Sequence, residues 1–363
     1  MRVLIRADAS ITLGSGHIAR CLTLANALRK QGADVRFACR QLPGHLLQRL
    51  TDQGYASYPL PERYGLEPSS ADSEASLPWA EDVQALSGHL QDQAPFDWLI
   101  VDHYGLDARW ENAVRPLAKQ LMAIDDLANR PHAVDLLLDQ NYCAVVLDAP
   151  YARWLQADCQ TFLGPRFALL REAFACQPII IKPRVQRVLV NFGGFDAAAQ
   201  VHATMLALQH FDDLQVDIVA GLGNPQWDAL SVLSKARPNW RLHTVVDDFF
   251  ALMQQVDLFI GAGGGTTWER AALGLPTICI AVARNQQLNA QLLAEAGMHL
   301  YLGPHEQLQP AQLTDAIERL VADPALRRAF AQRSRGLVDG RGTRRIADVL
   351  IARADNRHTG PGV

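Results

Sequence analysis

Short apolar segments alternate with helix-like segments through both halves of the chain, and this alternation restricts the fold more than any other feature. Each apolar segment is hydrophobic on both faces, as is typical of strands in a parallel sheet that is covered by helices. The predicted strands lie near residues 2–7, 34–39, 97–102, 120–124 and 135–138, and near 186–192, 214–220, 240–246, 257–261 and 277–282. We therefore predict an α/β fold with two Rossmann-like domains, whose parallel sheets face each other across a ligand-binding cleft.

The length of 363 residues fits two domains, and three prolines interrupt the periodic pattern between them. These are Pro165, Pro178 and Pro183. The predicted division is an N-terminal domain over 1–165, a linker over 166–184, a C-terminal domain over 185–353 and a disordered tail over 354–363. One of the three helices predicted after residue 309 could cross back to the first domain. Residues 59–78 are rich in Pro, Ser and acidic side chains, which predicts an exposed insertion.

The charge and the cysteine content argue against several kinds of partner and site. A formal net charge of −4 gives no electrostatic reason to expect nucleic acid or an anionic membrane as a partner. The six cysteines are scattered without a C-x-x-C pair, which favours a reducing compartment and argues against a zinc site. No signal-peptide pattern precedes the first strand, and no apolar run approaches the roughly 18–20 residues of a membrane span. We expect a cytoplasmic protein with a small-molecule ligand and no metal or cofactor; a monomer is compatible with the sequence.

The turn after the first strand is rich in glycine, begins a helix and carries a histidine. Backbone N–H groups at such a turn can face a ligand, so the segment is a candidate binding site. Its candidate ligand-binding residues are Arg6, Asp8, Gly14, Ser15 and Gly16. The positive end of the helix dipole disfavours a protonated ring at His17, and a carboxylate from Asp8 or Asp102 would increase its basicity. These features predict that His17 is a general base.

A second glycine-rich turn follows the strand near 257–261 and begins the helix predicted at 264–273. Its backbone N–H groups predict a pyrophosphate site, with a carboxylate one turn later for the two ribose hydroxyls. The candidate residues are Gly264, Gly265, Thr266, Thr267 and Glu269. The alternative is a packing turn of an α/β sheet, but such a turn needs neither the threonines nor the glutamate.

Two further segments of the second domain offer polar groups. Gly193 and Gly194 could form another backbone cradle, although a simple turn capped by Asp196 explains them equally well. Asn285 and Gln286 begin a helix and could bind sugar hydroxyls or acetamido groups, with simple capping as an equal alternative.

Polar clusters also follow three strands of the first domain, where the carboxyl edge of a parallel sheet places functional residues. They are Asp102-His103-Tyr104, Asp125-Asp126 and Asp139-Gln140-Asn141. Paired aspartates can bind magnesium, yet they serve more often as caps and loop acceptors. Beside the linker, Arg166 or Arg171 could supply a guanidinium to a phosphate or a sugar amide, or form a surface ion pair.

Taken in order along the chain, these motifs resemble the family of UDP-2,4-diacetamido-2,4,6-trideoxy-β-L-altropyranose hydrolases of pseudaminic acid biosynthesis. The segments that carry the resemblance are residues 6–21, 101–104, 124–129, 164–174, 191–196 and 261–287. The family is similar to GT-B glycosyltransferases, in particular to the lipid II-forming N-acetylglucosaminyltransferase. That transferase has a longer glycine-rich run and a proline after its histidine. Because this chain lacks both features, its N-terminal turn favours hydrolysis over transfer.

The resemblance implies a GT-B fold, UDP bound chiefly by the second domain, and cleavage of a UDP-sugar without a metal. It implies that His17 accepts the proton. The substrate contacts that it implies are Arg171, Glu269, Tyr104, and Asn285 or Gln286. We predict that water attacks the anomeric carbon with inversion of configuration. The alternatives are a glycosyltransferase, a UDP-sugar 2-epimerase and a non-catalytic sugar-nucleotide binding protein.

Overall fold

The computed structural model describes residues 1–11, 13–62, 78–91, 93–193, 196, 198–221 and 223–358, with the backbone alone for 356–358. The described chain divides into two compact units. The first comprises Met1–Leu170 and the segment that begins at Arg341, and the second comprises Arg171–Gly340.

The first unit is built on a seven-stranded sheet in which every pair of neighbours is parallel. The strands are β1 (Arg2–Ala7), β2 (Asp34–Arg40), β3 (Ala56–Leu60), β4 (Phe96–Asp102), β5 (Ala118–Ile124), β6 (Leu136–Asp139) and β7 (Gln160–Leu163). The helices are α1 (Gly16–Lys30), α2 (Leu47–Asp52), α3 (Trp79–Leu90), α4 (Ala108–Val114) and α5 (Cys143–Val146). The sheet order is β3-β2-β1-β4-β5-β6-β7. Because this order reverses between β1 and β4, the turns after these two strands open side by side, where doubly wound sheets bind ligands.

Residues of the central strands alternate between two hydrophobic cores, one on each face of the sheet. Val3 and Ile5 pack into one core, whereas Leu4 between them packs into the other. All three side chains are fully buried. A strand covered on both faces must be apolar at almost every position, which is why β1 and β4 read as continuous apolar runs.

The second unit repeats this design with a six-stranded parallel sheet of order β10-β9-β8-β11-β12-β13. Its strands are β8 (Arg187–Asn191), β9 (Gln215–Val219), β10 (Trp240–His243), β11 (Leu258–Ala262), β12 (Thr277–Ala281) and β13 (Leu300–Pro304). Its helices are α6 (Gln200–Leu208), α7 (Trp227–Lys235), α8 (Phe249–Gln254), α9 (Thr266–Leu273), α10 (Arg284–Glu295), α11 (Pro310–Ala322) and α12 (Pro324–Leu337). Its topological switch point lies between β8 and β11, so the turn that begins α9 follows a strand at this point.

The last helix, α13 (Gly342–His358), belongs to the first unit. Ile346 and Leu350 are buried in the core of that unit, and the indole N–H of Trp98 donates to the carbonyl of Leu350 at 2.9 Å. The sequence-based division instead ended the second domain at residue 353 and began a tail at 354. The helix instead extends through His358, and Ala354 is buried in the first core, whereas residues 359–363 lie outside the described residues. Within the described ranges, none of the helices combines the length and the apolar character that a bilayer span requires.

The three strands that the sequence analysis missed all lie at sheet edges: β3, β7 and β13. An edge strand is covered less completely, so it tolerates polar residues and proline and loses the continuous apolar pattern. Pro59 lies within β3, and Pro304 ends β13. The short helices α5 and α8 were also missed. Of the insertion predicted at 59–78, residues 63–77 lie outside the described residues.

Candidate active site

The turn between β1 and α1 brings His17 to the switch point of the first sheet. Gly14 has a φ of 74°, a left-handed conformation that favours glycine, and its N–H donates to the carbonyl of Ser10 at 2.9 Å. Helix α1 begins at Gly16, so His17 lies in its first turn, where it is buried. Ser15 and Gly16 are exposed beside it. The turn therefore presents the N-terminus of a helix next to a buried imidazole.

His17 is paired with Asp102, the last residue of β4. The Nδ1 atom of the imidazole lies 2.5 Å from Oδ1 of the fully buried carboxylate. Burial alone would raise the pKa of Asp102, but the charges of Arg20 and His17 overcome this effect and hold it well below its usual range. Because the ionised carboxylate only accepts hydrogen bonds, Nδ1 carries a hydrogen and Nε2 is the ring atom that can accept a proton. Of the two carboxylates that the sequence offered for this role, the structure selects Asp102.

Arg20, whose role the sequence analysis missed, donates hydrogen bonds to the carboxylate of Asp102. Its Nε donates to Oδ2 of Asp102 and its Nη2 to Oδ1, both at 2.6 Å, and its Nη1 donates to Asp126 at 3.0 Å. Arg20 follows His17 by three residues, so both side chains lie on one face of α1. The three-residue spacing of His17 and Arg20, together with an aspartate at the end of a neighbouring strand, was the sequence signal that could have predicted this contact. The bidentate contact fixes the orientation of Asp102 and thereby that of the imidazole.

Tyr104 completes the surroundings of the imidazole. Its ring packs edge-on against that of His17, with ring centroids 4.7 Å apart and planes inclined at 76°. Burial raises the pKa of Tyr104 well above its usual value, and the nearby carboxylate of Asp126, which its hydroxyl donates to, adds to this effect. The structure thus brings together His17 and Tyr104, two residues predicted for the site, with Asp102, Arg20 and Asp126.

Arg6 and Asp8 require a correction, because neither is placed to contact a ligand. The guanidinium of Arg6 is fully buried and donates to both carboxylate oxygens of Asp8 and of Asp82. Asp8 is also buried and accepts the backbone N–H of Arg40 at 2.7 Å. A long-range partner such as Asp82 leaves no local signal in the sequence. We assign this buried network a structural role under the β1–α1 turn.

The aspartates after β5 and β6 also serve the structure. Asp125 accepts the backbone N–H of Ala128 at 2.9 Å and the guanidinium of Arg130 at 2.6 Å. The hydroxyl of Tyr151 lies 2.9 Å from both Asp125 and Asp139. The Tyr151 hydroxyl can donate to either carboxylate, and burial raises the pKa of Asp139 well above its usual value. These contacts fit loop acceptors, which was the alternative to a magnesium site.

In the second unit, the turn between β11 and α9 is the counterpart of the β1–α1 turn. Gly261 permits the close approach of two strands, since a Cβ there would lie 2.1 Å from the carbonyl oxygen of Asn191. Gly265 occupies the N-cap position and is exposed. A Cβ on Gly265 would meet no atom of the described residues within 4 Å, and on Gly264 it would meet only the amide nitrogen of Gln286, at 3.7 Å. The turn therefore leaves space above the first N–H groups of α9, as an anion site requires.

Glu269 and Arg171 lie close enough to interact electrostatically in this unit. Burial raises the pKa of the half-buried Glu269 to about 7, against the opposing charges of Arg171 and Arg270. The guanidinium of Arg171 is exposed and lies 5.5 Å from the ring centroid of Phe174. Arg166, the other arginine considered, belongs to the first unit. Glu269 therefore titrates near neutral pH, beside a cation that a ligand can reach.

The remaining predicted residues of the second unit differ in their surroundings. The side-chain oxygen of Gln286 accepts the N–H groups of Gly263 at 3.2 Å and Val282 at 3.1 Å, so it braces the glycine-rich turn. Asn285 is exposed at the second position of α10.

The predicted cradle before α6 is described only in part. Gly193 has a φ of 94°, whereas Gly194 lies outside the described residues. Asp196 accepts the N–H groups of Gln200 and Val201 at 3.0 and 2.8 Å, as the capping alternative requires.

Comparison with known proteins gives relatives for both the sequence and the fold. Residues 204–339 match the family model "Erythromycin biosynthesis protein CIII-like, C-terminal domain". The chain is 28% identical over 302 residues to the UDP-2,4-diacetamido-2,4,6-trideoxy-β-L-altropyranose hydrolase of Campylobacter jejuni, a match that covers 82% of this chain and 97% of the relative. It is 26% identical over 202 residues to the spore coat polysaccharide biosynthesis protein SpsG of Bacillus subtilis, covering 54% and 60% of the two chains.

Two solved glycosyltransferase-like structures share the architecture along the whole chain. MurG of Acinetobacter baumannii has a TM-score of 0.66 at 16% identity and covers 97% of this chain and 99% of its own. The calicheamicin glycosyltransferase CalG4 has a TM-score of 0.65 at 17% identity and covers 99% of both chains. At such identities the likeness shows the fold alone. The chain thus has the predicted GT-B class of fold, and its predicted resemblance to the family of UDP-2,4-diacetamido-2,4,6-trideoxy-β-L-altropyranose hydrolases is confirmed.

Proposed function

We propose that this protein hydrolyses a UDP-sugar to UDP and the free sugar, with UDP-2,4-diacetamido-2,4,6-trideoxy-β-L-altropyranose as its substrate. The observation that carries the proposal is the His17–Asp102 pair, which holds a proton-accepting imidazole at the switch point of a parallel sheet. The similarity to the Campylobacter hydrolase, which extends over most of both chains, supports the choice of reaction and substrate. A role in pseudaminic acid biosynthesis and a cytoplasmic location belong to the same proposal.

Each unit has a separate task in this reaction. In the second unit, the N–H groups at the start of α9 bind the diphosphate, and Glu269 accepts hydrogen bonds from the ribose hydroxyls. Arg171, Asn285 and the amide nitrogen of Gln286 are the further polar groups offered to the substrate. In the first unit, His17 and Tyr104 meet the sugar.

The chemistry follows from the hydrogen on Nδ1 of His17. Its Nε2 takes a proton from a water molecule as the water oxygen attacks C1 of the sugar and the C1–O bond breaks. Asp102 stabilises the imidazolium that forms. UDP departs with the bonding electron pair, and the N–H groups of α9 stabilise its developing charge, which reduces the need for a general acid. Attack opposite the leaving group inverts the configuration at C1.

Hydrolysis in ¹⁸O-labelled water tests both the reaction and the bond that is cleaved. We expect one ¹⁸O atom in the free sugar and none in UDP, with inverted configuration at C1 in the first anomer seen by NMR and with full turnover in EDTA. Label in UDP would contradict attack on carbon.

A glycosyltransferase is the second candidate, because both solved structures reported above are similar along the whole chain and one is a named glycosyltransferase. In that case His17 would deprotonate an acceptor hydroxyl. UDP release that depends on an added acceptor would favour transfer. A change at C2 of the sugar would indicate a 2-epimerase, and UDP-sugar binding without UDP release would indicate a non-catalytic binding protein.

The titration of Glu269 predicts how UDP affinity depends on pH. An ionised carboxylate is the better acceptor for two ribose hydroxyls, and with a pKa of about 7 its ionised fraction rises about tenfold from pH 6 to pH 8. The affinity of the wild type for UDP, divided by that of Glu269→Gln, should therefore rise severalfold over this range. The ratio cancels the titration of UDP itself. Calorimetry of both proteins measures this affinity ratio. A ratio that does not depend on pH would show that Glu269 does not bind the ribose hydroxyls.

A further inference from the structure

Arg270 is buried beneath the β11–α9 turn, where the residue is 2% exposed. Its Nη1 donates to the carbonyl of Ala262 at 2.9 Å, and its Nη2 donates to the hydroxyl of Thr267 at 2.8 Å. The guanidinium carbon lies 4.8 Å from the ring centroid of Phe259. Among the residues that the structure describes, no carboxylate forms an ion pair with it.

The groups that face Arg270 supply little compensating charge. Burial raises the pKa of the Cys279 thiol, and burial together with Arg270 lowers the pKa of His299 to about 4, so both are neutral at pH 7. Glu269, with a pKa near 7, is about half ionised there and has a smaller effect on Arg270 than burial or Cys279. Burying a charge that no opposite charge neutralises is strongly unfavourable. The fold therefore keeps a cation at this turn although its burial is unfavourable.

Two other buried arginines show how the protein usually compensates such a charge. Arg6 has two carboxylate partners, and despite burial its pKa lies above the usual value, whereas burial lowers the pKa of Arg270. Burial lowers the pKa of Arg327 as well, but this residue, 1% exposed, donates to four carbonyls, of which those of Leu320 and Val321 lie at the end of α11, where the helix dipole is negative. Arg270 is the fifth of the eight residues of α9, but its guanidinium reaches back to Ala262 and Thr267, toward the end of the helix where the dipole is positive. A bound anion would supply opposite charge at this turn.

We propose that Arg270 supplies the positive charge that the protein reserves for the diphosphate of the nucleotide, and that it acts through Thr267. This inference rests on the nucleotide site of the proposed function. The Thr267 hydroxyl, in a residue that is 4% exposed, accepts a hydrogen bond from a cation, which makes its own hydrogen more acidic, and no acceptor for that hydrogen is found among the described residues. Arg270 is thus a positioning residue that makes the site select ligands by their negative charge.

The ligand series uridine, UMP and UDP separates this role from a structural one, because the three differ in charge but share the nucleoside. Calorimetry should show that Arg270→Met weakens UDP binding by about tenfold to a hundredfold, UMP less, and uridine by less than about twofold. Arg270→Lys keeps the charge and should retain most of the preference for UDP. Arg327→Met, which removes a buried arginine of the same unit, is the matched control and should leave the ratio of UDP to uridine affinity unchanged.

A second pair of variants tests the relay without removing the buried charge. Thr267→Val removes the hydroxyl, so this variant should bind UDP more weakly than the wild type and uridine equally well. Thr267→Ser keeps the hydroxyl and should bind UDP and uridine like the wild type. Equal losses for uridine and UDP in Arg270→Met, or unchanged UDP affinity in Thr267→Val, would overturn the proposal. A wild type that binds UDP no better than uridine would instead refute the nucleotide site itself, and the role of Arg270 with it.

Discussion

Replacing His17 by asparagine should lower kcat by about 10²- to 10⁴-fold, the contribution of a well-placed general base. Asparagine keeps a polar side chain in the first turn of α1 but has no group that takes up a proton at neutral pH. Affinity for UDP should change little, since the diphosphate and the ribose are assigned to the second unit. Single-turnover rates of UDP release and calorimetry of UDP binding check the two halves of this expectation.

The matched control for this variant is His210→Asn, which makes the same chemical change at an exposed histidine of the second unit. We expect it to retain the wild-type kcat. If His17→Asn turns over at close to the wild-type rate, His17 is not the base, and the proposed mechanism fails.

Replacing Asp102 by asparagine should also lower kcat by about 10²- to 10⁴-fold, although Asp102 touches no reacting atom. An asparagine amide can donate to Nδ1, which would stabilise the tautomer with the hydrogen on Nε2 and block proton uptake there. The variant also removes the charge that stabilises the imidazolium and that pairs with Arg20 at 2.6 Å. Circular dichroism and thermal unfolding should accompany the rate measurements, because Asp102 is fully buried.

Two comparisons make this prediction specific. Asp126→Asn also loses a contact to Arg20 but none to His17, so its kcat should fall much less, by under about tenfold. Because Asp102 acts through His17, the double variant should be no slower than His17→Asn alone. Multiplied losses in the double variant would show that Asp102 acts independently of the imidazole.

The sequence was most informative where function depends on local backbone pattern. The glycine-rich turns after β1 and β11, the helices that they begin and the polar residues at the end of β4 could all be predicted, because each depends on a few consecutive residues. The choice between Asp8 and Asp102 as the partner of His17 could not. It depends on the sheet order, which sets β4 beside β1 although Asp102 follows His17 by 85 residues.

The same limit explains the residues that were missed or misassigned. Arg6 was predicted to contact a ligand, but its guanidinium donates hydrogen bonds to Asp82, which lies far along the chain. Arg270 lies within a recognised motif, yet its significance is that no carboxylate of the described chain pairs with it. Burial and long-range pairing are properties of the packed chain, and local sequence patterns carry little information on either.

The position of α13 has a consequence for the order in which the protein matures. A ribosome synthesises the entire second unit before it delivers Ile346 and Leu350, which the core around β1 needs. The second unit can therefore fold from a continuous stretch of nascent chain, whereas the first unit, which bears His17, completes its core only after α13 has been synthesised. On the proposed function, newly made protein would be able to bind UDP before it could cleave the UDP-sugar.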